Sequence, residues 1–249
     1  MPNPLIINDR IGRYNKIISV SGDKSISIRW VLLSSLANGV SNAKNLLLSE
    51  DVLAALKAIK ILGIKSKITK KGTKIYGKGV KGYKYKKNIT INAENSGTLG
   101  RLILGLLINT KYPIKIIGDR SLSKRDFSRV TKPLSKFGAQ FELNKNKNLP
   151  LTIFGSQKLT SIKYHENKGS AQCKSSIIFG GMRACGTTII KAKKSRNHTE
   201  LLFKYLNLPI LIKTKKNHDE IKINKIKTIQ PLNYNIPSDI SSSAFFIVL

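Results

Sequence analysis

A helix-opening pattern recurs three times along this chain at a period of roughly 70 to 75 residues, too long for a solenoid and long enough for a supersecondary unit. In the first unit Ser21-Gly22-Asp23-Lys24-Ser25 opens an apolar stretch over 26–37 that ends at Gly39. A second helical pattern over 51–62 stops at Gly63, and two β-like runs follow at 64–69 and 73–77. The second unit repeats the order. Asn95-Ser96-Gly97-Thr98 opens 99–108, 114–117 reads as a strand, 127–137 as a helix ending at Gly138, and 139–143 and 151–154 as a strand pair. In the third, Gly169-Ser170-Ala171-Gln172 opens a helix to about residue 183. A strand at 187–192, a helix at 199–206 stopping before Pro209, and a strand pair at 210–214 and 220–223 complete it. Ser or Asn at the starts and Gly or Pro at the ends are capping and stop signals. With a further strand before each opening (16–20, 88–92, 161–165), the chain is expected to be α/β (α+β), three βαβαββ units in one domain.

A fourth opening, Pro237-Ser238-Asp239-Ile240-Ser241-Ser242-Ser243, is followed by the apolar residues 244–249, where the chain stops without a cap. An apolar helical face ending that way lacks a partner, so a truncated chain is expected. The expected division is a stub of a second domain at 1–15, a complete three-repeat domain at 16–235, and the truncated start of the second domain at 236–249.

Composition bounds the function classes. The 249 residues are 41% apolar, enough for a sizeable core. No run approaches the ~18 to 20 consecutive apolar residues of a membrane span, and the first ten residues lack the basic and apolar regions of a secretory signal, so a soluble, cytoplasmic protein is expected. Two cysteines, Cys173 and Cys185, supply neither a disulfide framework nor a four-thiolate zinc site. A net charge of +32 invites a nucleic-acid reading. However, only nine of the 45 basic residues are Arg, and the lysines are scattered, with Lys70-Lys71 and Lys215-Lys216 beside hairpin turns. The reading preferred is a solvated lysine surface that also attracts anions.

Each helix opening carries more than the single Ser, Thr, Asp or Asn that a cap requires. Lys24 and Ser25 stand at the first, with Arg29 on the same face; Gly97 and Thr98 at the second, with Arg101 one turn in; Ser170 and Gln172 at the third. Unpaired N–H groups, helix dipoles and added cations make anion sites, and three of them suit a substrate with more than one anionic group.

The run Val20-Ser21-Gly22-Asp23-Lys24-Ser25-Ile26-Ser27-Ile28-Arg29 resembles the first signature of the 5-enolpyruvylshikimate-3-phosphate synthase family, the 3-phosphoshikimate 1-carboxyvinyltransferases. Further blocks match in the same order: Asn95-Ser96-Gly97-Thr98 with Arg101; Gly118-Asp119 through Arg125; Ser170-Ala171-Gln172-Cys173-Lys174-Ser175; Ser195-Arg196-Asn197-His198-Thr199-Glu200; and the opening at Pro237. Ser21 and Ile28 depart from the usual Pro and His. The resemblance covers nearly all of this chain but only the N-terminal half or so of a family member.

It implies an enolpyruvyl transferase-like fold and transfer of the enolpyruvyl group of phosphoenolpyruvate to the 5-hydroxyl of shikimate 3-phosphate, releasing phosphate, without metal or cofactor. It also implies roles. Lys24, Ser25, Arg29, Ser170, Ala171, Gln172, Ser195 and Arg196 would bind shikimate 3-phosphate; Lys24, Gly97, Arg125 and Gln172 would bind phosphoenolpyruvate. Lys24 and Arg125 are the catalytic residues this part supplies, the main acid/base carboxylates lying in the C-terminal half. The partners implied are these two small molecules, with no nucleic acid or membrane, and the whole enzyme would be a monomer.

Two other enzymes and one other class compete. The sister transferase acting on UDP-N-acetylglucosamine typically carries a reactive Cys in the loop corresponding to 119–125, and this loop has none. An RNA 3′-phosphate cyclase shares the repeat architecture but not these motifs. A basic nucleic-acid-binding protein rests on charge alone. His165 and His218 have no ligand spacing, and His198 reads as a helix-start residue. Cys173 reads as a buried small hydrophobe and Trp30 as core.

Overall fold

The computed structural model describes residues 17–247, so the expected stub at 1–15 lies outside the described residues. The first unit comprises α1 (Lys24–Ser34), β1 (Asn38–Lys44), α2 (Glu50–Ile61) and the hairpin of β2 (Lys65–Thr69) and β3 (Gly72–Lys78). The second comprises β4 (Ile89–Asn92), α3 (Gly97–Leu107), β5 (Ile114–Ile117), a single 3-10 turn Leu122–Lys124, α4 (Ser128–Ser135), β6 (Gln140–Leu143) and β7 (Leu151–Phe154). The third comprises β8 (Lys163–Glu166), α5 (Ala171–Gly181), β9 (Thr187–Lys193), α6 (His198–Tyr205), β10 (Ile210–Thr214) and β11 (His218–Asn224). The chain continues through β12 (Asn233–Asn235) and α7 (Ile240–Ile247).

Three four-stranded sheets result, ordered β12-β1-β3-β2, β4-β5-β7-β6 and β8-β9-β11-β10. In each, the first two strands run parallel and the remaining pairings are antiparallel. The threefold repeat is therefore a repeat of topology as well as of sequence. Strand side chains alternate, with Thr73 and Ile75 of β3 inward, and Thr188, Ile190 and Ala192 of β9 inward. Lys74, Lys78, Lys191 and Lys193 point outward, as the period of two dictates. The sheet lysines thus occupy the solvent face.

Helices α1, α3 and α5 form the interior. They are buried nearly all round (Ser27–Ser34, most of Gly97–Leu107, Cys173–Gly181), which agrees with sequences that offer no polar stripe. The crossing of α3 on α5 is close. A Cβ on Gly105 would lie 2.2 Å from the Ser176 carbonyl oxygen, so only glycine fits.

One expected element is absent and one unexpected element replaces it. Ile17–Val20, the described part of the strand expected at 16–20, forms no strand. The place beside β1 belongs to β12, in parallel register from Asn42↔Asn233 to Lys44↔Asn235. Burial decides between them: Ile229, Leu232 and Ile236 around β12 are buried, whereas Ile17 and Ile18 are exposed. The Gly22 region pairs instead with the segment beyond β12, through the Gly22↔Ser238 bridge and Asp23 N donating to Pro237 O at 2.8 Å. β1 itself (Asn-Gly-Val-Ser-Asn-Ala-Lys) has little strand propensity, and it forms because both of its edges are paired.

Candidate active site

The inner helices begin side by side, and each spends one side chain on its cap. Asp23 Oδ1 accepts from Ile26 N at 2.7 Å, Ser96 Oγ from Leu99 N and Ser170 Oγ from Cys173 N, both at 3.2 Å. Lys24, Ser25, Gly97, Thr98, Ala171 and Gln172 are left over at the openings. Glu166 braces the third from behind, accepting from Lys168 N and Ser170 N at 3.1 and 3.0 Å.

Two clusters stand at these openings, joined by α5. In the first, Arg29 is 3% exposed and cradled by neutral groups. Its Nη1 donates to Ser25 O at 2.9 Å, its Nε to Thr199 Oγ1 at 2.7 Å, and its Nη2 to Ser175 Oγ at 3.1 Å; the Thr199 hydroxyl donates in turn to Ser175 Oγ at 2.7 Å. Burial pulls the Arg29 guanidinium down to about 10, with Glu200 and Asp23 opposing and Arg196 assisting. Beside it, fully buried Lys174 pairs with Glu200 at 2.5 Å. His198 opens α6, and burial together with Arg29 and Arg196 holds its pKa below the usual histidine value. Exposed Arg196 belongs to this electrostatic neighbourhood. Ser195, three residues before α6, has a buried hydroxyl without a hydrogen-bond partner among the described residues. Lys24 is set apart, half-exposed, with Nζ 3.5 Å from Asp51.

The second cluster lies over the start of α3. A Cβ on Gly97 would sit 3.0 Å from Arg125 Nη1 and 3.2 Å from Arg101 Nη1, so two guanidinium groups bear on this one backbone position. Arg125 reaches it through a relay. Asp119 accepts from Leu122 N at 2.7 Å and from Asn95 Nδ2 at 2.6 Å, and Asn95 Oδ1 accepts from Arg125 Nη2 at 3.3 Å. The Leu122 amide holds the Asp119 carboxyl below its ordinary pKa, so it stays ionised. Gln172 joins this cluster through Arg101 and Thr98, and Ser175, one turn further along α5, joins the first through Arg29.

Among the described residues, every ion pair within 4.0 Å uses a lysine; Arg29, Arg101 and Arg125 have none. Three unpaired guanidinium groups at converging helix N-termini can clamp phosphate or carboxylate bidentately. Sequence reasoning places Thr98 and Arg101 at the second opening without a substrate role, and names Asn95, Ser175 and Thr199 only within the signature blocks. The spacing of Gln172 and Ser175 on one helix face was the available signal for Ser175. Cys173 is 2% exposed with its thiol pushed up to about 12 by burial, and Trp30 is core, its Nε1 donating to Leu232 O. Among the described residues no helix is long and apolar enough to cross a membrane.

The model of the EPSP synthase (3-phosphoshikimate 1-carboxyvinyltransferase) family matches residues 9–249. The 3-phosphoshikimate 1-carboxyvinyltransferase of Caldicellulosiruptor bescii is 41% identical over 239 residues, 95% of this chain and 54% of that protein. That of Ruthia magnifica is 42% identical over 237 residues, covering 93% and 52%. The solved EPSP synthase of Acinetobacter baumannii superposes with a TM-score of 0.85 at 35% identity, over 93% of this chain and 52% of that one. The chain spans about half the length of the relatives it matches. Matched from residue 9 onward and superposing on a solved member over nearly all of its length, the chain belongs to the EPSP synthase family.

Proposed function

We propose that this chain forms the shikimate 3-phosphate-binding domain of an enzyme that transfers the enolpyruvyl group of phosphoenolpyruvate to the substrate 5-hydroxyl and releases phosphate. The observation that carries this reading is that, among the described residues, Arg29 at the first helix opening and Arg101 and Arg125 at the second have no carboxylate partner within 4.0 Å. Lys24, Ser25, Arg29, Ser170, Ala171, Gln172, Ser195 and Arg196 are assigned to shikimate 3-phosphate. Gly97 and Arg125, with Lys24 and Gln172, are assigned to phosphoenolpyruvate. Buried Arg29 gains most from an arriving anion, because among the described residues no carboxylate lies within 4.0 Å of it; each such charge-assisted bond contributes about 1.5 to 3 kcal/mol. The orphan Ser195 hydroxyl gains a partner in the same step. Lys24, now on Asp51, is free enough to turn to a phosphorylated ligand and to stabilise charge as the tetrahedral adduct forms.

The same reading takes 16–235 as one complete domain, since β12 closes the first sheet at the end of that range, and gives 1–15 and 236–249 to a second domain. It places the proton-transfer carboxylates in that second domain and the whole enzyme in the cytoplasm as a monomer without metal or cofactor. Calorimetry tests it on the 249-residue chain. Weak, salt-sensitive binding of shikimate 3-phosphate is expected, with much weaker binding of unphosphorylated shikimate and no phosphate release when phosphoenolpyruvate is added. Equal affinity for the two shikimates, or none for either, overturns the assignment; turnover by the chain alone overturns the placement of the carboxylates.

A further inference from the structure

Gln172 is, with Lys24, assigned to both substrates, and a carboxamide can present either an acceptor or donors. Its surroundings remove the choice. Arg101 Nη1 lies 2.5 Å from Gln172 Oε1, and because a guanidinium only donates, the carbonyl must face Arg101. The amide nitrogen then donates one hydrogen to Thr98 Oγ1 at 3.1 Å and keeps one uncommitted.

Arg101 is itself fixed. Its Nη2 donates to Asp126 O at 3.4 Å, its guanidinium stacks 5.3 Å from the Phe127 ring centre, and its own carbonyl accepts from Ser176 Oγ at 2.9 Å. It thereby ties α3 to α5 at the level of both openings. Among the described residues no carboxylate competes for it within ion-pair distance.

We propose that Arg101 is a positioning residue that locks the Gln172 carboxamide with its carbonyl turned away, so that residue 172 offers the ligand a hydrogen-bond donor and no acceptor. The site then selects acceptor oxygens, such as those of phosphate and carboxylate, over ligands that present N–H or O–H at this point. The inference rests on the substrate reading above.

The test is a double-mutant cycle on the 249-residue chain, read as shikimate 3-phosphate affinity. Arg101→Met and Gln172→Ala are each expected to weaken binding about tenfold, and the double variant to be within about twofold of the weaker single one, because the two act through one contact. Arg101→Lys, which keeps a donor for Oε1, should recover most of the loss. A purely structural Arg101 gives additive losses of about a hundredfold, and that result, or unchanged binding by Arg101→Met, overturns the proposal. Gln172→Glu guards against misfolding of the Arg101 variants. It pairs with Arg101, so its unfolding temperature should be kept or raised while binding falls; binding as tight as in the parent chain refutes the donor orientation. If the parent chain itself binds nothing, the substrate reading fails separately. The Arg101 lock is then read without ligand, as exchange of the Gln172 carboxamide hydrogens, which should be several-fold faster in Arg101→Met; equal rates overturn it.

Discussion

Single residues in the candidate site are under two kinds of constraint, space and charge. Gly97 is the spatial case: a methyl would meet the guanidinium ends of Arg125 and Arg101 at 3.0 and 3.2 Å and Leu122 Cδ1 at 3.6 Å, not backbone. Gly97→Ala is therefore expected to displace chiefly the exposed Arg125 guanidinium, which Asn95 holds at 3.3 Å, and to leave the thermal unfolding midpoint nearly unchanged. Phosphoenolpyruvate should suffer more than shikimate 3-phosphate, since Arg125 and Gly97 are assigned to it; parallel titrations with the two ligands check this. His198 is the electrostatic case. Its folded pKa lies below 6.5, from burial first and then from Arg29 and Arg196. As the pH falls past ~6.5 the unfolded chain takes its proton first, so stability is lost through the interval down to the folded value and levels off beneath it. Unfolding midpoints between about pH 5 and 7 should show this slope in the parent chain and a shallower one in His198→Gln.

Between elements, the junction of α5 and α6 is held by a pair that neither helix could keep alone. Lys174 and Glu200 are both inside, at 0% and 4% side-chain exposure, and each is tolerated only because the other is present. Glu200→Ala leaves an unpaired buried ammonium and is expected to cost about 3 to 5 kcal/mol. Exchanging both for apolar residues, as Lys174→Met with Glu200→Leu, should recover much of that loss, and chemical denaturation of the three chains gives the comparison. The motif Ser195 to Glu200 showed where α6 begins, but not that its Thr199 and Glu200 turn inward to the Arg29 and Lys174 side chains. A helical period reports which residues share a face. It does not report which of them will find a counter-charge.

On the scale of the molecule, the first repeat is completed by the segment that follows the third. β12 pairs with β1, 191 residues away along the chain, and the same stretch buries Ile229, Leu232 and Ile236 and supplies the Leu232 carbonyl to Trp30 Nε1. A chain ended at Lys227 loses all of these and leaves β1 as a bare edge. It is expected to unfold at markedly lower denaturant concentration, with aggregation through that edge. Light scattering and a urea titration followed by Trp30 fluorescence would register both effects. A truncation that unfolds at the parent midpoint would show that the closure contributes little.

The amino-acid sequence by itself determined the threefold plan, the type of most elements, the cap and stop residues of the inner helices, and the signature blocks that carry the family. All of these are written within one or two turns of chain, where periodicity, capping and glycine chemistry act. Three things were decided only by the tertiary structure: that β12 and not 16–20 flanks β1, that a run as weak as Asn38–Lys44 becomes a strand, and that Arg29 is held by Thr199, 170 residues distant. Each is a competition among distant segments for one buried place or one hydrogen-bond partner. Local propensity cannot rank such competitors, because the free energy that separates them is that of burial and of satisfying polar groups inside the folded chain.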